Sequence, residues 1–466
     1  MKKTTSLIMV LVLILSMLWG CGQADGTVVT VDSSGKGKTT LHFFANKWEE
    51  NNVRVMEELI TEFMKENKDI KVVYESMKGT EYYEVLKKRM LSGNGDDVFM
   101  VNHDTGRILK EKDLLVNLAD SPVVSQYGDI TKDQITDSSG RVYMLPMSVS
   151  MSGLYCNMDL LAENSITVPE NLMQLQASCH AFFAKGITPL LVNKDYSLNS
   201  IAVGIGFYDT YRGGRVEETL SKINQDPEQL RSYLKPGYEK VEEFIEKGYI
   251  DRQKAAKTRK TTEDLEEFAK GEYPFMITGA WAAGRVEEMN LDFEFQVHPL
   301  PVLENSNVVV VNSDVCLAVN AVGKHTEEAR RFVDFLTRKD NIERFSQQRC
   351  SLSPLKNKKA SGKKQLTAVV SCTKAGRIVV APDNRLKLPL NDYTEKICRN
   401  ILEGMSALEA LDQVLTNGPS ISGRHIVNRG NYVVRQNNKK KVPPYGICCA
   451  CGFSHCRDWI FISEVY

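Results

Sequence analysis

Between Thr39 and Val101 the chain alternates twice between two hydrophobic periods, and this alternation constrains the fold more than any other feature. Leu41, Phe43 and Ala45 recur at the two-residue spacing of a strand. Val53, Met56, Ile60, Phe63 and Met64 then follow the spacing of one helical face, with Glu and Lys between them. Ile70–Tyr74 predicts a second strand, Glu81–Leu91 a second helix closed by Gly93-Asn94-Gly95, and Asp97–Val101 a third strand. Two successive β-α-β units predict a parallel sheet with right-handed crossovers. The fold class is α/β.

The pattern continues downstream. Arg141–Pro146 reads as a strand ending at its proline, and Leu172, Leu175, Cys179 and Phe182 as one helical stripe stopping at Gly186. A short helix precedes Gly271 and a strand covers Tyr273–Ile277. Val308–Val311 and Cys316–Val319 are apolar β runs, and a helix starts near Thr326 with Glu327 and Glu328 in its first turn. Ile401, Met405, Leu408, Leu411 and Val414 mark one last helix. No internal repeat is visible.

The two ends differ from this body. Met1-Lys2-Lys3, an apolar run from Leu7 to Trp19, and Gly20-Cys21 describe an export signal too short to span a bilayer comfortably. Leu18-Trp19-Gly20-Cys21 resembles the bacterial lipobox, although Trp19 replaces the usual small residue. That resemblance implies a signal peptide over 1–20, lipidation of Cys21, and anchoring at the outer face of the cell membrane. Residues 21–38, rich in Gly, Ser and Thr, read as a flexible tether. After Leu415 the periodicity stops. Residues 416–466 carry seven Lys and Arg against two Asp and Glu, and a Cys448-Cys449-x-Cys451-x4-Cys456 cluster. Those ligand types could hold zinc in a reduced protein; a frameshifted or degenerate terminus is the alternative, and no function is assigned.

Charge and motifs exclude several classes. With 59 Lys and Arg against 59 Asp and Glu, there is no basic surplus for nucleic acid. The catalytic patterns H-E-x-x-H, G-x-x-x-x-G-K-[ST] and G-x-S-x-G are missing, and the seven histidines are dispersed. Neither a catalytic residue, a metal site nor a cofactor is expected. Cys156, Cys179, Cys316, Cys350, Cys372 and Cys398 lack paired spacing and read as buried free thiols.

Several segments in order resemble the sugar-binding, maltose-binding-protein-like solute-binding proteins of bacterial ABC transporters. They include Leu41-His42-Phe43-Phe44 with Trp48, Glu66-Asn67-Lys68-Asp69-Ile70-Lys71-Val72, and Asp96-Asp97-Val98-Phe99. Gly140–Pro146 with Gly153–Asn157, Val168–Asn171 with Gly186–Pro189, Gly271–Met276 with Gly279-Ala280-Trp281, and Ala329–Leu336 complete the set. The resemblance runs from about 39 to 415 and implies two α/β lobes with a ligand cleft between them. Lobe one would be 39–147 plus 275–320, and lobe two 148–274 plus 321–415. The implied protein is a non-enzymatic, monomeric receptor that delivers a carbohydrate to an ABC permease. A receptor for a polyol phosphate or peptide, or a secreted carbohydrate-active enzyme, are the alternatives.

A sugar site needs aromatic plates and planar hydrogen-bonding groups. Trp48 and Trp281 follow strands where the family places cleft aromatics; ordinary core or surface positions are the competing reading. Asp104 could accept hydroxyl hydrogen bonds at a strand's carboxyl end, or cap the helix holding Ile108. Tyr155 and Tyr143 are further candidates for which core packing competes, and Asn46 is a weaker one.

Overall fold

The computed structural model describes residues 26–30, 38–47, 49–79, 81–137, 139–260, 262–348, 350–356, 363–383 and 385–416. The signal peptide, Cys21, Trp48 and the tail beyond Thr416 lie outside the described residues.

Strands β1 (Gly26–Thr30), β2 (Thr39–Ala45), β3 (Ile70–Met77) and β4 (Val98–Val101) begin the sheet. β2 pairs in parallel with both β3 and β4, as the two β-α-β units require. The expected tether is in part structured: Gly26–Thr30, a β-branched run, pairs antiparallel with β3. The helices Glu50–Glu66 and Glu81–Leu91 bury the faces that periodicity assigns them, with Met56, Ile60, Phe63 and Leu86 at most 1% exposed. The second of these ends at Gly93, whose φ of +76° favours glycine.

The remaining strands are β5 (Leu145–Asn157), β6 (Leu190–Val192), β7 (Phe275–Gly279), β8 (Phe295–His298), β9 (Leu300–Leu303), β10 (Ser306–Val319) and β11 (Ile378–Val380). Their order β1-β3-β2-β4-β10-β5-β7-β6 forms one continuous path, with β8 on β5 and both β9 and β11 on β10. β5 starts at Leu145, so Pro146 opens this strand and does not end one. A proline lacks the N–H of a ladder donor and is tolerated at a strand's beginning; its carbonyl accepts the Tyr127 hydroxyl at 2.9 Å. The two apolar runs around Asn312 are one strand, β10.

Three buried clusters underlie the two lobes, one in the first lobe and two in the second. The first joins β2–β4, the start of β5 and the end of β10. The other two cover the two faces of β7: Phe275 and Ile277 pack on one side, Met276 and Ala280 on the other. This packing moves two segments of the expected division. Residues 275–303 belong with lobe two, because β7 pairs with the second half of β5 (Leu154 opposite Ile277) and with β6. The helices Thr326–Leu336 and Lys339–Gln348 belong with lobe one, because Phe332 packs edge-on against Phe43 at 5.6 Å and tilted against Phe63 at 4.9 Å. The expected last helix is two, Leu390–Leu402 and Ala407–Thr416, interrupted at Gly404 with φ of +111°.

Lobe two also holds the helices Ser197–Arg212 and Gln229–Glu246, which the sequence reading missed. The first is apolar nearly all round and so shows no amphipathic period. The two cross closely at Gly237, where a Cβ would lie 2.4 Å from the Ala202 backbone.

Candidate functional site

β5 and β10 run side by side through both lobes, from Leu145 opposite Leu317 in the first to Met151 opposite Val311 in the second. Between these apolar ends the paired residues turn polar: Ser148 faces Asp314 and Ser150 faces Asn312. A third crossing segment lies on β5, where Val149 and Leu352 exchange backbone hydrogen bonds at 2.8 and 3.0 Å. Val315 adopts φ of +51° in this zone, a genuine outlier for a β-branched residue. The Asp314 carboxylate accepts the Val315 N–H at 2.8 Å and holds that conformation.

Side chains from both lobes meet around Asp314. From lobe one, Lys47 at the end of β2 brings its ammonium within 3.4 Å of the Asp314 carboxylate. Asn46 donates to the Tyr83 hydroxyl at 2.7 Å, while its own side-chain oxygen is buried with no hydrogen-bond partner among the described residues. From lobe two, Tyr196 and Trp281 meet edge to face, with ring centroids 5.0 Å apart and planes at 74°. Burial raises the phenols of both Tyr83 and Tyr196, and in each the Asp314 charge raises it further. One carboxylate on the crossing strand therefore lies within electrostatic reach of a tyrosine from each lobe.

Trp281 occupies the turn Ala280–Ala282 after β7, held between buried Ala280 and Ala282. Its ring covers Gly279 so closely that a Cβ there would fall 1.8 Å from it. A cavity of about 770 Å³ opens between the lobes nearby, lined by Arg54, Asp340 and Arg344 on one side and Gly284, Glu287 and Lys363 on the other. Among the described residues its lining is charged and carries no aromatic plate.

The expected site residues separate on this geometry. Trp281 comes to the crossing zone and Asn46 lies there too. Tyr155 does not face the cleft: it is fully buried, stacked on Phe295, and donates its hydroxyl to the Gly279 carbonyl at 2.8 Å. The reason is that both faces of this half of β5 are covered: Leu154 and Cys156 pack into one buried cluster and Tyr155 into the other. Tyr143 sits at the edge of the first core with Lys110 and Arg141 against its ring.

Asp104 is 3% exposed in the first turn of the helix His103–Lys110. Asn102, not Asp104, caps that helix, accepting the Thr105 N–H at 2.9 Å. Asp104 instead bonds the His103 ring at 2.8 Å and accepts the Asp392 N–H at 3.2 Å, at the start of Leu390–Leu402 in lobe two. Burial, then the Asp104 charge, raises the Asp392 carboxyl.

Lys47, Tyr83, Tyr196 and Asp314 were not anticipated. The available signal was the polar triplet Asn312-Ser313-Asp314 interrupting two apolar β runs. Among the described residues no group of three or more His, Cys, Asp or Glu is placed to hold a metal ion, and no helix is long and apolar enough to cross a membrane.

Comparison with known proteins agrees with this architecture. The sequence model described as "Bacterial extracellular solute-binding protein" matches residues 47–343. The chain is 23% identical over 313 residues to the multiple sugar-binding protein of Streptococcus mutans, covering 65% of this chain and 72% of that one. It is 22% identical over 373 residues to the melibiose/raffinose/stachyose-binding protein of Bacillus subtilis, covering 77% and 83%. Among solved structures, the SBP RafE in complex with raffinose superposes with a TM-score of 0.65 at 19% identity, over 81% of this chain and 98% of that one.

Proposed function

This chain belongs to the bacterial extracellular solute-binding protein family, and on that premise we propose that it captures a carbohydrate in the cleft between its lobes. The observation that carries the reading is the edge-to-face pair of Tyr196 and Trp281, whose tyrosine lies within electrostatic reach of the Asp314 carboxylate that Lys47 meets and that also acts on Tyr83, the partner of Asn46. An indole offers a flat apolar plate for the C–H face of a sugar, and the amide, ammonium and carboxylate suit its hydroxyl edge. The Asn46 oxygen, which has no partner among the described residues, is an acceptor for which a sugar hydroxyl supplies a donor. The relatives named for multiple sugars and for melibiose, raffinose and stachyose support an oligosaccharide.

Binding to groups of both lobes favours the closed arrangement by a population shift, since the contacts are complete only there. The reading is of a receptor and not an enzyme, delivering its cargo to an ABC permease. The polypeptide acts as a monomer outside the cytoplasm, held to the membrane by a lipid on Cys21. Trp48 remains a proposed second aromatic contact. Asp104 is proposed to act at the closing seam, since its carboxylate already engages the opposite lobe.

The test is a thermal-shift and fluorescence titration against raffinose, stachyose and maltooligosaccharides. A ligand at a hundred times its dissociation constant adds about 2.7 kcal/mol of stability. A saturable shift without product, lost in Trp281→Ala, supports the receptor. Released monosaccharide would make the protein an enzyme, and no shift with any sugar would overturn the carbohydrate reading.

A further inference from the structure

Beneath the aromatic pair lies a fully buried polar network that has, among the described residues, one carboxylate, Asp264, and no cation. Asp264, Asn193, Ser197 and Thr278 are each 0% exposed. Asp264 Oδ2 accepts from Asn193 Nδ2 at 2.9 Å and from Thr278 Oγ1 at 2.9 Å. Its Oδ1 accepts the backbone N–H groups of Leu265 and Thr262 at 2.9 and 3.2 Å. Four neutral donors thus surround it.

Two of those donors lead directly to the site. The Asn193 side-chain oxygen accepts the Tyr196 N–H at 2.8 Å, and the Asn193 N–H donates to Ser197 Oγ at 2.9 Å. Ser197 Oγ in turn bonds the Ile277 carbonyl on β7. Thr278 is the residue before Gly279, under the Trp281 ring. We propose that Asp264 is a positioning residue for ligand capture: its carboxylate ties the Tyr196 turn and the Trp281 turn into one preset aromatic surface. The proposal rests on the carbohydrate reading for its consequence, not for its geometry.

The arrangement depends on ionisation. A carboxylate accepts from all four donors, whereas a protonated acid must donate at one oxygen, so one tie is reversed or lost. Burial is the cause that raises the Asp264 carboxyl, to about 6, against the lowering effect of Thr278 and Asn193. Neither β6 nor β7, the strands packed on its helix Glu263–Ala269, carries a titratable side chain. The titratable group within electrostatic reach of it is Tyr155 from β5, on which Tyr196 and Arg285 also act. On its own helix, Glu263 is engaged by Arg259, and Glu267 by Lys254 and Lys270. Asp195 accepts the Lys260 N–H at 3.0 Å.

The test uses the full chain without ligand. The difference in emission between the chain and Trp281→Phe isolates the Trp281 signal, followed from pH 8 to pH 4.5. The expected result is a shift with a midpoint near pH 6 that disappears in Asp264→Asn. A signal that does not titrate, or titrates equally in Asp264→Asn, overturns the proposal. Should Asp264→Asn not fold, Thr278→Val removes one tie at constant volume and must displace the Trp281 emission at pH 7.5; unchanged emission overturns the proposal as well. In the second arm raffinose affinity falls at least threefold from pH 7.5 to pH 5 in the chain and stays flat in Asp264→Asn. Failure of every sugar to bind would sink the carbohydrate reading alone, because the ligand-free arm decides the positioning role independently.

Discussion

Tyr155 donates its buried hydroxyl to the carbonyl of Gly279 at 2.8 Å, two residues before Trp281. The tyrosine lies on the crossing strand β5 and the glycine ends β7, so this bond fixes the aromatic turn to the segment about which the lobes join. Tyr155→Phe keeps the ring on Phe295 but leaves a buried carbonyl short of a donor. The expected loss is about 1–3 kcal/mol of stability, with weakened sugar affinity in the folded fraction. Denaturant unfolding and calorimetric titration would check both, and an unchanged affinity would remove Tyr155 from the site's support.

Gly279→Ala puts a methyl where the Trp281 ring lies, 1.8 Å from its nearest carbon. The ring is the group that must move, since Gly279 itself has ordinary φ of −76°. Sugar binding is expected to fall at least tenfold while the chain stays folded. Far-UV circular dichroism beside a fluorescence titration distinguishes this from global unfolding.

Asp314→Asn replaces the carboxylate that receives both Lys47 and the Val315 N–H. The backbone at Val315 then keeps its unfavourable φ with a weaker local acceptor. The expected cost is about 1–3 kcal/mol, and sugar affinity falls because Lys47 loses its orientation. Lys47→Met lowers affinity too, but without the Val315 contribution to stability. Equal stability losses in the two variants would argue against a role for Asp314 in holding Val315.

Stability should depend on Asp264 with a defined sign. Its folded carboxyl is pushed up to about 6 by burial, above the value near 3.9 of an unfolded chain. The folded state therefore takes up the proton first, so this group's contribution grows more favourable as pH falls from 7 to 4. The full effect is about 3 kcal/mol, read as the pH-dependent difference in unfolding free energy between the chain and Asp264→Asn. A flat difference would mean the carboxyl titrates at its ordinary value. Stability and aromatic positioning thus move in opposite directions with pH, which a carboxylate serving only the fold would not produce.

The six body cysteines should be silent in the folded protein. All are buried and free, and burial pushes the Cys372 thiol up to about 11 and the Cys398 thiol up to about 12. Since the thiolate is the reactive form, peptides containing these six residues should carry no label after brief alkylation at pH 8 and full label after unfolding. Native labelling at Cys372 or Cys398 would show that their sites open.

Periodicity made the body's elements legible where one face is buried and the other wet. The helices at Glu50–Glu66 and Glu81–Leu91 and the strands β2 to β4 follow the pattern closely. It failed at Ser197–Arg212, whose buried residues spread around most of the helix, and at Pro146, where the strand opens rather than ends. At the site, Trp281 was visible because a lone tryptophan after Gly279-Ala280 is a distinct local signal. Tyr196 was not, since it does not stand out from its neighbours in type or spacing, and Asp314 was marked only by the polar triplet Asn312-Ser313-Asp314 between two apolar runs.

The sequence alone determined that strands and helices alternate and which faces they bury. Only the tertiary structure decided which element meets which. The helix Thr326–Leu336 has the same apolar stripe whether it packs on Phe43 or on Phe275, and contact with Phe43 and Phe63 assigns it to lobe one. In the same way parity alone leaves Tyr155 either inside or facing the cleft, and its bond to Gly279 settles it inside. A period records how much of a residue is hidden, because burial is a local average over its own element. The identity of the partner depends on residues far away in the chain, such as Phe332 against Phe43, 289 positions apart, whose meeting no local pattern encodes.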